Sequence, residues 1–234
     1  MRKFAIVTGG SKGIGLAVAK LLAQKGYDLA LVARDHKKLL KAKSMLQDCH
    51  NAIRVTTHSV DLENAADAYH QIKAICQTHE SIDLLFNNAG IAVNGADELE
   101  IEAMQSLMNI NFIGAFAVLK AVLEKMKIQK SGYIINLSSL SGRRALARSG
   151  GYCASKFALS GFSESLFKRY TEMGIKVTAI CPSTIDSDMT RHFAIDNQDK
   201  ITQQDMVKTV DYLLSLGKNA VVPFIEVHCK ALVD

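Results

Sequence analysis

The sequence predicts an α/β fold of the doubly wound Rossmann type, a parallel sheet of about seven strands with helices on both faces. Three observations predict it. Short apolar, β-rich runs alternate with longer stretches of helical period along the whole chain. A glycine-rich turn follows the first such run and opens the first helix. The composition, 48% hydrophobic and 22% charged with two prolines in 234 residues, suits a soluble globular chain that buries a large core. Neither linker, repeat nor low-complexity tract interrupts it, so one domain over residues 1–234 is expected.

The strands are expected at residues 3–8, 28–33, 53–59, 82–87, 132–138, 176–181 and 220–226. Helices fill the intervals. Between Gly13 and Lys25, Ile14, Ala17, Val18, Leu21 and Leu22 share one face, and Gly26 ends the helix. Residues 36–46 form a second helix whose charged run, His36 to Lys43, reads as a solvated face, with Asp35 placed to cap it. Residues 104–127 are helical, with Asn111 as a kink or cap. Residues 183–202 carry no clear element, and a stretch of that length suggests a substrate lid or a loop containing a short irregular helix. In an open sheet of this kind ligands bind beyond the carboxyl ends of the strands, and the unusual residues lie there.

Thr8-Gly9-Gly10-Ser11-Lys12-Gly13-Ile14-Gly15 sits where glycines let the backbone approach a pyrophosphate and a helix N-terminus favours its charge. Gly9, Gly13 and Gly15 give the spacing T-G-x-x-x-G-x-G, which resembles the fingerprint of the short-chain dehydrogenase/reductase family. The family's other motifs follow in order over nearly the whole chain: Asp61-Leu62, Asn87-Asn88-Ala89-Gly90, Asn111, Ser138-Ser139, Tyr152-x-x-x-Lys156 and Pro182. A second Tyr-x-x-x-Lys, Tyr69 and Lys73, precedes Asn88 and has no serine 13 residues upstream, so it reads as helix surface. Pro182 is followed by Ser183 where the family usually has glycine.

The resemblance implies hydride transfer between a nicotinamide and a carbonyl or alcohol carbon. Reduction leaves negative charge on oxygen, so a proton donor and hydrogen-bond donors must meet it. Tyr152 is the expected acid. Bringing a phenol from a pKa near 10 to about 7 needs roughly 4 kcal/mol of preferential phenolate stabilisation, and the Lys156 ammonium one helical turn away is expected to supply much of it. The family also has this lysine hold the nicotinamide ribose. Ser139, 13 residues before Tyr152, is implied to orient the substrate oxygen in preference to Ser138. Asn111 is implied to help hold a water chain that returns protons through Lys156.

The same resemblance assigns Gly9, Ser11, Gly13, Ile14 and Gly15 to the cofactor's phosphates, Asp61 and Leu62 to its adenine, Asn88, Ala89 and Gly90 to the wall beside the adenosine ribose, and Pro182 with Ile185 to the nicotinamide. Asp61 has an alternative as a helix cap, and Asn88 as a brace of the sheet. NADP(H) is expected over NAD(H), because Arg34 at the end of the second strand and Lys12 before Gly13 supply positive charge for a 2′-phosphate. Asp35 is the local objection.

A net charge of +5, spread rather than blocked, is modest for a nucleic-acid binder, and no such partner is expected. Five cysteines without a Cys-x-x-Cys pair and seven scattered histidines suggest reduced thiols, an apolar filler role for Cys153 and no metal. The N-terminal apolar run is too short for a signal peptide, and no apolar run reaches membrane-span length, so a cytoplasmic protein without a span is expected. The partner is a small carbonyl or alcohol, and family members commonly form homodimers or homotetramers. Arg143, Arg144 and Arg148 suggest the narrower expectation of a 3-oxoacyl thioester on an acidic acyl carrier protein. The rival reading is a catalytically silent NADP-binding sensor or scaffold of the same fold. An epimerase is disfavoured because only about eight residues follow the seventh strand.

Overall fold

A computed structural model of the chain describes residues 2–191, 193 and 195–232. Strands β1 (Phe4–Thr8), β2 (Asp28–Ala33), β3 (Val55–Ser59), β4 (Leu84–Asn87), β5 (Gly132–Leu137), β6 (Ile175–Pro182) and β7 (Phe224–Val227) pair in parallel. Their order is β3-β2-β1-β4-β5-β6-β7. The inner strands β1 and β4 are buried along their whole length, whereas the edge strands β3 and β7 keep Thr57, Ser59 and Glu226 in partly or fully open positions. Expected strand starts fall within four residues of the observed ones. The largest discrepancy is β7, whose start moves to Phe224 because Ala220 closes a turn on Gly217.

Alternation along the strands builds two cores. Ala5 and Val7 of β1 face α1 (Gly13–Gln24), α2 (His36–Cys49) and α7 (Gln203–Ser215). Phe4 and Ile6 face α3 (Ala65–Gln77), α5 (Ala115–Gln129) and α6 (Gly150–Tyr170). Ahead of α5, α4 (Ile101–Met108) runs into a π-helical segment, Asn109–Gly114, so the expected kink at Asn111 is a π-bulge within a longer helical stretch. Gly114 is required there, because a Cβ would come within 2.2 Å of the Leu62 carbonyl. Residues Ile101–Gln129 together are long and apolar enough to cross a membrane by length and composition, but most of the stretch is buried in the fold.

Residues 183–202 are more ordered than a bare loop. Ile185 and Ile201 form an isolated parallel bridge, Asn197–Asp199 make a 3-10 turn, and the buried Lys200 ammonium donates to the Thr190 carbonyl and Asn197 Oδ1, both at 2.8 Å. His192 and Ala194 of this stretch lie outside the described residues.

Candidate active site

The strand order reverses between β1 and β4, and a cavity of about 690 Å³ opens at the carboxyl ends of the strands there. Its lining runs from the β2–α2 turn to the start of α6. β2 and β5 stand three strand spacings apart, about 14 Å, room for an extended ligand.

The glycine-rich turn forms the floor. Gly9 and Gly13 have φ of +65° and +56°, a region that favours glycine, and nothing lies within 4 Å of a Cβ built on Gly13. Helix α1 starts after Lys12, and among the described residues no side chain caps its first amides. Those open N–H groups, beside Gly9, Ser11, Gly13 and Ile14 on the wall, suit the phosphates of a dinucleotide. Gly15 is off the cavity wall. A Cβ there would meet the Gly9 carbonyl oxygen at 2.3 Å, so its work is to let the turn fold onto the helix. Asn88 pins the same turn, donating to the Thr8 carbonyl at 2.9 Å while its own amide binds the Thr8 hydroxyl at 2.9 Å.

Lys12, Arg34, Asp35, Lys38, Asp61 and Leu62 line the adjoining wall. Among the described residues the Arg34 guanidinium has no hydrogen-bond partner. Asp35 caps α2 as its position suggests, accepting from the Lys38 amide at 3.0 Å, and its carboxylate pairs with the Lys38 ammonium at 3.1 Å. These contacts, the backbone hydrogen bond first, hold its carboxyl below the usual range. One cation and the N-terminus of α2 thus offset part of the Asp35 charge. Asp61 does not cap α3. That cap is Asn64, which accepts from the Asp67 amide, while Asp61 Oδ1 accepts from the Glu63 amide at 3.1 Å.

The opposite wall carries Ser139, Tyr152 and Lys156 with Ala89, Gly90, Pro182 and Ile185. β5 delivers the two serines into different surroundings. The buried Ser138 hydroxyl is used by the Lys156 carbonyl (3.3 Å) and Ser160 (2.7 Å), whereas Ser139, half-buried, accepts from the Ser141 amide at 3.1 Å and donates to Pro182 at 3.4 Å. Lys156 is buried, with Nζ donating to the Leu137 carbonyl at 3.0 Å and lying 5.8 Å from the Tyr152 ring centre. Burial lowers its pKa to about 8.

Without the nicotinamide's charge, desolvation outweighs any pull of Lys156 on the phenol. Burial pushes Tyr152 up to about 12, and the lowering influence on it is the Ser139 hydroxyl. The ammonium faces a carbonyl rather than the phenol, and desolvation dominates both groups.

Asn111 is fully buried and off the cavity wall. Its Nδ2 donates to the Ile91 carbonyl at 2.9 Å and to Ser155 Oγ at 3.0 Å, its Oδ1 accepts from the Ile91 amide, and Ser155 in turn donates to the Tyr152 carbonyl at 2.7 Å. The side chain therefore positions α6 and the Gly90–Ile91 turn.

Ser183 adopts no left-handed backbone; its amide donates to Val227 at 2.8 Å, so serine in place of glycine carries no strain. Sequence reasoning missed Lys38, Asp188 and Met189 on the wall. Lys38 lies in the run read as a solvated face, yet its place one turn beyond Arg34 aims it at the cleft. Asp188 and Met189 come from the stretch without a clear pattern and carried no local signal.

An open parallel sheet with a cradle for phosphates and a hydroxyl, phenol and ammonium set at its switch point defines a dinucleotide-dependent oxidoreductase. The family model for short chain dehydrogenase matches residues 3–198, and the chain belongs to that family. An uncharacterized oxidoreductase of Staphylococcus saprophyticus is 32% identical over 213 residues, covering 91% of each chain. Among solved structures, a beta-ketoacyl-[ACP] reductase from Bacteroides thetaiotaomicron superposes with a TM-score of 0.86 at 31% identity, covering 99% of this chain and 98% of that one. An alcohol dehydrogenase from Thermococcus sibiricus, complexed with 5-hydroxy-NADP, reaches 0.91 at 24% identity with 100% and 99% covered, a likeness of fold.

Proposed function

We propose that the chain is an NADP(H)-dependent oxidoreductase of carbonyls and secondary alcohols, with binding and catalysis in one domain over residues 1–234. One observation carries this reading: Ser139, Tyr152 and Lys156 share a cavity with Arg34, which has no partner among the described residues, and with Lys12 and Lys38, each paired with a carboxylate of the same wall, so a proton donor and a cationic corner meet one ligand site. The nicotinamide, when bound, supplies or receives the hydride. Ser139 and Tyr152 bind the substrate oxygen, and Tyr152 donates its phenolic proton as charge develops there. Lys156 holds the ribose and, with a pKa near 8, exchanges a proton near neutral pH. Gly9, Ser11, Gly13 and Ile14 hold the phosphates, Asp61 and Leu62 the adenine, Asn88, Ala89 and Gly90 the adenosine ribose, and Pro182 and Ile185 the nicotinamide side. Gly15 supports these walls from behind, and Asn111, bonded to Ile91 and Ser155, also helps to hold a water chain that returns protons through Lys156. The described residues of the 183–202 stretch serve as the lid, with Met189 on the cavity wall.

The test is a panel of carbonyls and alcohols followed by NADPH and NADH absorbance. Turnover with NADPH exceeding that with NADH is expected. Equal use of both removes the cofactor assignment, and tight NADP binding with no turnover establishes the silent sensor instead.

Within that class we infer a 3-oxoacyl thioester as substrate, supported by the likeness to the Bacteroides reductase. The basic loop supports carrier docking less than its sequence suggests. Arg143 is engaged by Glu226 at 3.3 Å and stacked on Phe224 at 4.1 Å, leaving Arg144 and Arg148 as exposed cations. Failure of acetoacetyl thioesters to consume NADPH eliminates this version. Exposed Ile113 and Phe116, in the middle of the apolar stretch Ile101–Gln129, support self-association into a dimer or tetramer. Light scattering on the purified protein tests it.

A further inference from the structure

Lys12, the cation of the glycine-rich turn, already has a partner. Its Nζ lies 2.6 Å from Asp188 Oδ2, joining the turn before α1 to the stretch 183–202. The other Asp188 oxygen pairs with Arg191. Asp188 is held in place from behind, because Thr190, buried two residues on, hydrogen-bonds the Ile185 carbonyl and its own carbonyl accepts from buried Lys200. Lys12 and Asp188 both line the cavity and their side chains are 60% and 57% exposed, so a soluble anion can reach the Lys12 ammonium. The carboxyl of Asp188 is held below its usual range, by Lys12 first and Arg191 next.

A carboxylate and a phosphate monoester are alternative partners for one ammonium, and a lysine acts toward either as a compact point charge. We propose that Asp188 is a specificity-determining residue of the cofactor site, competing with the 2′-phosphate for Lys12 and thereby setting how strongly the phosphorylated dinucleotide is favoured. This rests on the NADP(H) reading above. Arg34, which has no competing partner among the described residues, supplies the constant part of the attraction, and Lys12 the part that Asp188 regulates. An exposed ion pair is weak, so the expected effect is about two- to fivefold in affinity.

Calorimetric titration with adenosine 2′,5′-bisphosphate and with 5′-AMP, which differ only in the 2′-phosphate, tests this without turnover. The wild type is expected to prefer the bisphosphate. Asp188→Asn should bind the bisphosphate about two- to fivefold more tightly with 5′-AMP unchanged, and Asp188→Glu should match the wild type. In a Lys12→Ala background the gain should vanish. A wild type that prefers the bisphosphate but does not respond to Asp188→Asn overturns this proposal alone. An equal gain with and without Lys12 overturns the competition in favour of direct repulsion. No preference in the wild type overturns the NADP(H) reading, and the proposal falls with it.

Discussion

The chain contains two Tyr-x-x-x-Lys pairs, each on one face of a helix, and their surroundings make them different chemical objects. On α3, Lys73 donates to the Tyr69 hydroxyl at 3.0 Å, that hydroxyl donates to Glu124 at 2.7 Å, and Lys73 also pairs with Glu124 at 3.0 Å. The carboxylate takes up the phenol's hydrogen bond and the ammonium's charge, in contact with solvent. On α6, no carboxylate bonds either Tyr152 or Lys156 among the described residues; the ammonium is buried on a backbone carbonyl and the phenol opens on the cavity beside Ser139. The close pair has a structural role and the separated pair is the reactive candidate. Spacing places two side chains on one face. Burial, with no acid bonded to either group among the described residues, leaves the phenol proton and the ammonium available to a ligand.

The largest expected effect separates the two tyrosines. Tyr152→Phe should lower turnover by at least about 100-fold while cofactor affinity stays within about threefold, the loss typical of a missing general acid. Tyr69→Phe should leave turnover within about twofold and lower the melting temperature slightly through the lost Glu124 hydrogen bond. Comparable turnover losses in both variants erase the distinction.

A smaller contrast divides the adjacent serines. Ser139→Ala should cost about 100-fold in kcat, as removal of a hydrogen-bond donor to a developing oxyanion does. Ser138→Ala should cost about 1–2 kcal/mol of stability instead, because the buried Ser160 hydroxyl loses its partner. Steady-state kinetics beside thermal melts read both, and a larger kcat loss in the Ser138 variant reverses the assignment.

The strands were legible because β-branched and aliphatic runs were bounded by glycines and charges, and the glycine turn because its spacing is local. Asp35 was legible as a cap for the same reason: its partner is three residues away. What could not be read depends on distant partners. Asp61 yields the cap to Asn64, which lies at the actual helix start. Gly15 belongs to packing because the Gly9 carbonyl folds over it, and Asn111 serves the Gly90–Ile91 turn and Ser155, 20 and 44 positions away. Lys12 meets Asp188 from 176 positions away, in a stretch held by the buried Lys200 ammonium, the Ile185–Ile201 bridge and a 3-10 turn. Tyr152 and Lys156 were legible as a pair, but the burial that shifts both groups was not, since it is set by what packs around α6.

The two lysines should also give opposite stability slopes. Folding lowers Lys156 from its ordinary 10.5 to about 8, so between those values the unfolded chain holds more protons than the folded one. Stability therefore rises with pH across that window, by up to about 3 kcal/mol in all, because a full proton's difference between the two states is worth about 1.4 kcal/mol for each pH step. Lys73 is shifted upward, chiefly by its bond to Tyr69, so its contribution is constant below 10.5 and is lost only above it. Cys76, held at about 12 by burial, opposes the Lys156 slope as pH rises past 9, so differences between variants are the measurement to make. Urea unfolding from pH 7 to 10 should show the wild type gaining stability relative to Lys156→Met, while the difference from Lys73→Met stays flat. A flat Lys156 difference would mean that the ammonium is hydrated in the folded protein, and the contrast between the two pairs would then rest on Glu124 alone.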